Sequence, residues 1–355
     1  MDESKKIISV FCPLGWKYAD VYMIGISDQL RENKVDLMPL NDRKYAIYIH
    51  EPMLNHEIVD MLGCKYLRYA YNYVNLSIHT NKCKLSEMLG SKFGATFRDE
   101  IYPTTFRYTG CPIEDVKDGT WIVKNVMRKN GTIGTNNICP AADVYRTIDK
   151  VLEVIDAPVG EAVGERDSEY WNTHQIAVQK YIEDPMLVDG KKFSITVYVL
   201  VLGKTGVFVY NKPSVRMSDV VYNPENNESQ ATDVINLAKH GKNFEKDLEL
   251  VGIPLSKITD FVSSFASIFK PARKQKKQFF HVFDVDILVD ASGKLWLGEI
   301  DVMEWQQAEK YPCLWSTQYN MVKNVANIVF LRDLGITPTG PDDFVEVCNF
   351  CEIDV

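Results

Sequence analysis

The chain has 355 residues, 46% of them apolar and 25% charged, with a formal net charge of −8. That length supports two or three packed lobes, and the composition is that of an ordinary soluble globular protein. The acidic balance does not indicate bulk attraction to nucleic acid, and no apolar run reaches the ~18–20 residues that would span a membrane. Eight cysteines are scattered along the chain. The opening MDESKKIISVF is charged with a short apolar run, so the expectation is reduced thiols, a cytoplasmic setting and a monomer.

In chain order, residues 6–11 read as a buried strand, 19–33 as a helix and 44–49 as a second strand. An aromatic strand region follows at 66–78. Residues 81–86 lead into a short helix, and 102–106 are extended and marked by Pro103. Residues 120–124 form a strand ending at Lys124, followed by a polar, glycine-containing loop at 130–134. A charged loop at 160–169 separates this from strands at 176–182 and 193–202. The latter pairs with 207–210 through the turn at 203–206. Residues 222–230 are polar and read as a mobile stretch. The basic run KPARKQKKQ at 270–278 reads as a solvated loop or a face for an acidic tail. Met321, Val325, Ile328 and Val329 mark a helix over 316–334. The single CxxC, Cys348 to Cys351, reads as a plain thiol pair.

The most telling stretch is 281–301, HVFDVDILVDASGKLWLGEID, two strands joined by a turn at 290–294. Alternation puts Phe283, Val285, Ile287 and Val289 on one face and Asp284, Asp286 and Asp290 on the other. On the second strand, Leu295, Leu297, Glu299 and Asp301 share a face. Pairing Asp290 with Leu295 sets Asp286 opposite Glu299 and Asp284 opposite Asp301. Like charges so placed repel, which implies a compensating cation; hard oxygen ligands suit Mg²⁺ or Mn²⁺. The alternative is a solvated acidic face. Lys124, at a strand end before a glycine-containing loop, suits phosphate, although G-x-x-x-x-G-K-[ST] is absent. Residues 179–182 offer a strand end that could read an adenine ring or serve as a linker. Arg216 offers a planar fork or is a surface arginine. His281 lines the site or is structural.

Together these blocks resemble the tubulin–tyrosine ligase-like family. QKYIEDPMLVDGKKFSITVYVLV at 179–201 is similar to its Q-K-Y-I-x-x-P-L-L-I-x-G-x-K-F-D-I-R-x-W-V-L-V signature. Residues 283–301 resemble its metal-binding G-x-D-x-x-x-D…W-L-x-E-x-N, and WIVK at 121–124 its W-I-x-K-P. The resemblance covers roughly residues 80–335 and implies an α/β ATP-grasp fold of three lobes: 1–79, 80–182 and 183–355 with the hairpin. ATP would sit between the central and C-terminal lobes. By position it implies Lys124 on the α- and β-phosphates, with Lys82 as an upstream site lysine. Gln179, Lys180 and Ile182 would hold the adenine. Lys192 would serve both the nucleotide and the reaction, Arg216 would act on the phosphate and amino-acid side, Thr232 and Asp233 would match a T-N pair at the nucleotide, and Asp286, Glu299 and Asp301 would hold Mg²⁺.

The implied reaction is ATP-dependent ligation of an amino acid (tyrosine, glutamate or glycine) to a polypeptide with an acidic tail, tubulin being the family's acceptor. Departures accompany the matches. Ser194 and Thr196 stand where the family has aspartate and arginine, Asp301 replaces asparagine, Asp284 replaces glycine, and Asn125 replaces proline. A lost cation at the terminal phosphates costs orders of magnitude in rate. The expectations are therefore a tighter or second cation, a different substrate, or a weakened enzyme. An inactive binding protein and an ATP-grasp kinase of a polyol or inositol phosphate are the alternative readings.

Overall fold

The computed structural model describes residues 7–11, 19–37, 46–49, 67–71, 79–125, 136–156, 176–203, 205–224, 248–270, 278–302, 312–338 and 342–351. The glycine-containing loop at 130–134, the charged loop at 160–169, most of the 222–230 stretch and of the basic run, Thr232 and Asp233 lie outside them.

In chain order the elements are β1 (Ile7–Phe11), α1 (Ala19–Glu32), β2 (Asp36–Leu37), β3 (Ala46–Ile49) and β4 (Leu67–Tyr71). Then come α2 (Lys82–Phe93), α3 (Ala95–Ile101), β5 (Thr105–Tyr108), β6 (Thr120–Asn125), β7 (Asn136–Pro140), α4 (Val144–Asp156) and β8 (Ile176–Lys180). The last part comprises β9 (Leu187–Val188), β10 (Lys191–Leu202), β11 (Gly206–Tyr210), β12 (Ser214–Val221), α5 (Leu248–Val251), α6 (Leu255–Phe265), β13 (Gln278–Val289), β14 (Leu295–Val302), α7 (Pro312–Ala326) and β15 (Phe344–Asn349). α7 runs directly into a π-helical turn, Asn327–Leu331. Among the described residues, no helix is long and apolar enough to cross a membrane.

The strands form two sheets. A small antiparallel sheet runs β5-β8-β6-β7. The large one runs β15-β11-β10-β13-β4-β3-β1-β2, with β12 and β9 on β10 and β14 on β13. Parallel pairing of β4 with β13 makes the N-terminal strands one sheet with the later ones.

Strand alternation explains the packing of the large sheet. Ile195, Val197, Val199 and Val201 of β10 and Phe283, Val285, Ile287 and Val289 of β13 enter one core, with Leu85 and Leu89 of α2 and Ile258, Val262 and Phe265 of α6. The opposite face is divided. Leu200 and Leu202 of β10, with Phe280 and Val282 of β13, pack against Ile26 and Leu30 of α1 and Met321, Val322 and Val325 of α7. Further along the same face the sequence turns polar, at Ser194 and Thr196 on β10 and Asp284 and Asp286 on β13. The candidate site occupies that polar half. A strand buried on both faces reads as a continuous apolar run, so the polar switch marks the end of the helical cover.

The acidic hairpin differs from strict alternation at one point. Asp284↔Asp301 and Asp286↔Glu299 are paired as expected, but Ile287 pairs with Leu297 and Val289, not Asp290, with Leu295. The register shifts between Asp286 and Ile287, leaving Gly298 as the extra residue of a bulge. Leu295 and Leu297 therefore join the core with Ile287 and Val289 instead of sharing a face with Glu299 and Asp301. Asp290 leaves the acidic face as well. Its Oδ1 accepts from Ser292 N (3.0 Å) and Lys294 N (3.0 Å), and its Oδ2 from Trp296 Nε1 (3.0 Å), which closes the turn.

A Cβ at Gly298 would lie 3.0 Å from the Asp286 carbonyl oxygen and 3.4 Å from Leu288 Cγ. Gly298→Ala is therefore expected to lower stability by about 1–3 kcal/mol, as overpacking does. A urea-denaturation midpoint equal to wild type would show that the bulge tolerates a side chain.

Candidate nucleotide and metal site

The polar half of the large sheet carries its side chains in rows across the strands. Ser214 of β12 pairs with Thr196 of β10, Thr196 with Asp286 of β13, and Asp286 with Glu299 of β14. The next row is Tyr198, Asp284 and Asp301. Arg216 stands beside Ser194. Adjacent rows of carboxylates of this kind repel unless cations intervene.

Three cations intervene, each from a different element. Lys82 opens α2, whose N-terminus is capped by Asn81: its Oδ1 accepts from Cys83 N and Lys84 N, both at 3.1 Å. That cap delivers the Lys82 ammonium to Glu299 Oε2 in a short ion pair. Burial alone would lower the Lys82 ammonium, but Glu299 offsets this and holds it above its ordinary value. Arg216 Nη1 reaches Asp286 Oδ2 at 3.4 Å. Lys124, at the end of β6, donates to Gln179 Oε1 at 2.9 Å, and Gln179 Nε2 donates to Thr105 Oγ1 at 2.9 Å. Burial and the neighbouring Lys82 charge bring Lys124 down to about 7. Lys82, joined by Lys124 and Arg216, pulls Glu299 down to about 2. Asp286 goes the other way: burial raises it, and the Glu299 charge adds to the rise. Two adjacent carboxylates, one held charged and one pushed toward protonation, form an environment that a further cation would relieve.

That donor set fits a divalent ion held jointly with phosphate. Among the described residues, no group of three or more His, Cys, Asp or Glu side chains forms a cage. Mg²⁺ rarely uses such a cage; one or two carboxylates plus substrate phosphates suffice. Asp286 and Glu299 could supply two such carboxylates, while Asp301, one row away, is exposed.

Lys192 lies apart from this cluster. Its ammonium donates to the Tyr181 hydroxyl and sits 4.7 Å from the Tyr181 ring and 4.1 Å from the Tyr222 ring. Burial lowers it to about 8. Tyr222 is tied down by its own N–H to Gly190 O (2.8 Å) and its hydroxyl to Glu183 O (3.3 Å). Sequence reading missed this ring because it begins a polar stretch with no periodicity. The Lys180 ammonium lies over Trp121, 5.1 Å from the ring, and bonds Asp118 O at 2.9 Å. The Lys180 amide donates to Thr104 O at 2.8 Å. Ile182 lines a cavity between the strand end and the hairpin turn, with Tyr181, Glu183, Pro103 and Trp296. His281 is fully buried against Phe283, with ring centroids 4.5 Å apart, and belongs to the core. Burial keeps its imidazole neutral, at about 3.

The tubulin-tyrosine ligase family model matches residues 72–244. The Caenorhabditis briggsae tubulin polyglutamylase ttll-4 is 25% identical over 181 residues, 40% of this chain and 30% of that protein. The human tubulin polyglutamylase TTLL7 is 36% identical over 80 residues, 20% of this chain and 9% of that one. A probable tubulin–tyrosine ligase of Schizosaccharomyces pombe is 26% identical over 167 residues, 43% and 38% of the two chains. The chain thus spans at most 38% of the length of these curated relatives. The C-terminal domain of K. lactis Pby1, an ATP-grasp enzyme that interacts with the mRNA decapping enzyme Dcp2, shares the fold at a TM-score of 0.62 and 16% identity. That alignment covers 96% of this chain and 98% of that one. The tubulin-tyrosine ligase family model thus matches the middle of the chain, and the fold of an ATP-grasp enzyme is shared over nearly all of it.

Proposed function

We propose that this protein is an ATP- and Mg²⁺-dependent ligase that joins an amino acid to a polypeptide acceptor with an acidic tail. The observation that supports this most is the meeting of Lys82, Lys124 and Arg216 around Asp286 and Glu299, drawn from four strands and a helix. Phosphoryl transfer is catalysed almost entirely by positioning and charge, and both are supplied here. A bound divalent ion would draw charge from the phosphates during transfer.

In this reading the acceptor carboxylate attacks the γ-phosphorus and ADP leaves. The amino group of the incoming amino acid then attacks the acyl carbon, phosphate departs, and the amine nitrogen loses a proton. Lys124 and Lys82 hold the phosphates, and Arg216 neutralises charge on the reacting side. Asp286 and Glu299, with Asp301 beside them, hold the metal. In this reading Gln179, Lys180, Ile182 and Lys192 hold the base, and Lys180 and Ile182 line a cavity at the strand end. Thr232 and Asp233 are assigned to the same site. The three-lobe division at 79/80 and 182/183 belongs to this proposal, as do a monomeric state and a cytoplasmic setting. The relatives' names bring tubulin forward as the acceptor, with glutamate or tyrosine as the added residue and glycine as the third candidate.

The test is incubation with ATP, Mg²⁺, tubulin or another acidic-tailed polypeptide, and labelled tyrosine, glutamate or glycine. Release of ADP and phosphate that requires both acceptor and amino acid is the expected result. Metal-dependent ATP binding without turnover would favour the inactive binding protein that Ser194 and Thr196 suggest. Phosphate passed to a hydroxyl with no need for an amine would reveal a kinase.

A further inference from the structure

Thr196 is fully buried on β10, between Ser214 of β12 and Asp286 of β13. Its hydroxyl donates to Asp286 Oδ1 at 2.5 Å, a short charge-assisted hydrogen bond. The other oxygen of the same carboxylate, Oδ2, faces Arg216. Arg216 begins on β12 and ends at β13, so its guanidinium crosses β10, a span of roughly 9.5 Å at ordinary strand spacing. The residues under that path are Ser194, its cross-strand partner, and Thr196. Both are small, and a long side chain at 196 would occupy the ground that Arg216 covers.

We propose that Thr196 is a positioning residue of the metal site: its hydroxyl fixes the Asp286 carboxylate, and its small size opens the path by which Arg216 reaches that carboxylate. The proposal rests on the reading of Asp286 as a metal ligand. A ligating carboxylate with one oxygen hydrogen-bonded presents its remaining lone pairs in one orientation, and partners of this outer-shell kind govern affinity as well as geometry. The exchange of arginine for threonine is then a rearrangement of the site. The guanidinium comes from the neighbouring strand, and position 196 changes from a cation to an anchor for the metal's carboxylate.

The test is Mn²⁺ binding followed by electron paramagnetic resonance, with and without a non-hydrolysable ATP analogue. Thr196→Val keeps the shape and removes the hydroxyl; its Mn²⁺ dissociation constant is expected to rise about 10–100-fold. Thr196→Ser restores the hydroxyl and is expected to bind as wild type does, which a merely space-filling role would not require. Thr196→Arg, the family's residue, is expected to weaken Mn²⁺ binding because it competes with Arg216. Thermal midpoints of all three check folding. Unchanged Mn²⁺ affinity in Thr196→Val, or improved affinity and turnover in Thr196→Arg, would overturn the proposal and leave the ligase reading intact. A wild-type chain that binds no Mn²⁺ under any of these conditions overturns both.

Discussion

Glu299→Gln is expected to lower ATP turnover by about two to three orders of magnitude, the scale seen when one preorganised charge contact to the transition state is removed. Glu299 is the residue on which Lys82, Lys124 and Arg216 act together, and their charges hold it at about 2. The amide cannot carry that charge. It also leaves the Lys82 ammonium, which is largely buried, without its ion-pair partner. Leaving such a donor poorly satisfied costs about 1–3 kcal/mol, so the melting temperature is expected to fall as well.

The pH dependence follows from the sign of the shift. A carboxylate whose folded value lies below its unfolded value contributes stability above the usual carboxylate range, and that stability is lost as pH falls toward 2. In Glu299→Gln this part of the acid sensitivity disappears. The double variant Lys82→Met/Glu299→Gln separates the two effects. Removing both partners of a buried pair is often neutral for stability, so the melting temperature should recover. Turnover should not. Recovery of turnover in the double variant would show that the pair is structural and that neither residue serves the reaction.

Lys124→Met is the second large effect. The ammonium lies near 7 because burial and the Lys82 charge disfavour the proton. A polyphosphate beside it favours the proton, so ATP binding at pH 8, where ATP is already fully ionised, should take up a proton. Calorimetry in two buffers of different ionisation enthalpy measures that uptake. Affinity should be greatest below pH 7 and decline as pH rises through it. The variant should lose this uptake and about 1.5–3 kcal/mol of affinity, roughly 10–150-fold, the range for hydrogen bonds to charged groups. Lys192, lowered to about 8, titrates close by, so the quantity that matters is the uptake lost on substitution. In the nucleotide-free protein the unfolded chain binds the extra proton between pH 7 and the ordinary lysine value. Stability should therefore rise with pH across that window, and less steeply in Lys124→Met. Identical proton uptake in wild type and variant would remove Lys124 from the phosphate site.

Several parts of the site were legible because they depend on short-range pattern. The period-two alternation of 283–289 marked the buried face of β13, and four of its residues lie in the core. The expected opposition of Asp286 with Glu299 and of Asp284 with Asp301 is the observed register. It arises, however, by a different route from the one alternation suggests. The turn is one residue longer, closing on Val289 and Leu295, and the bulge at Gly298 restores the pairing before the acids are reached. A glycine within a strand is the one local sign of such a bulge. The side chain of Lys180 is set by the same strand geometry. Its motif names the residue, and the cross-strand pairing of Lys180 with Trp121 lays its ammonium over that ring.

The amino-acid sequence by itself determined the class of this protein. Its spaced motifs carried the family resemblance, its strand periods set the faces, and its acidic pairs called for a cation. These are local properties, fixed by backbone pleat and residue type. Only the tertiary structure decided how the charges are shared. Lys82 meets Glu299 across 217 positions of sequence, and Arg216 meets Asp286 across 70. No period relates residues so far apart; helix capping, strand order and the width of one intervening strand bring them together. The same is true of Thr196. In the linear chain it is an arginine lost, and in the folded sheet it is the hydroxyl that holds Asp286.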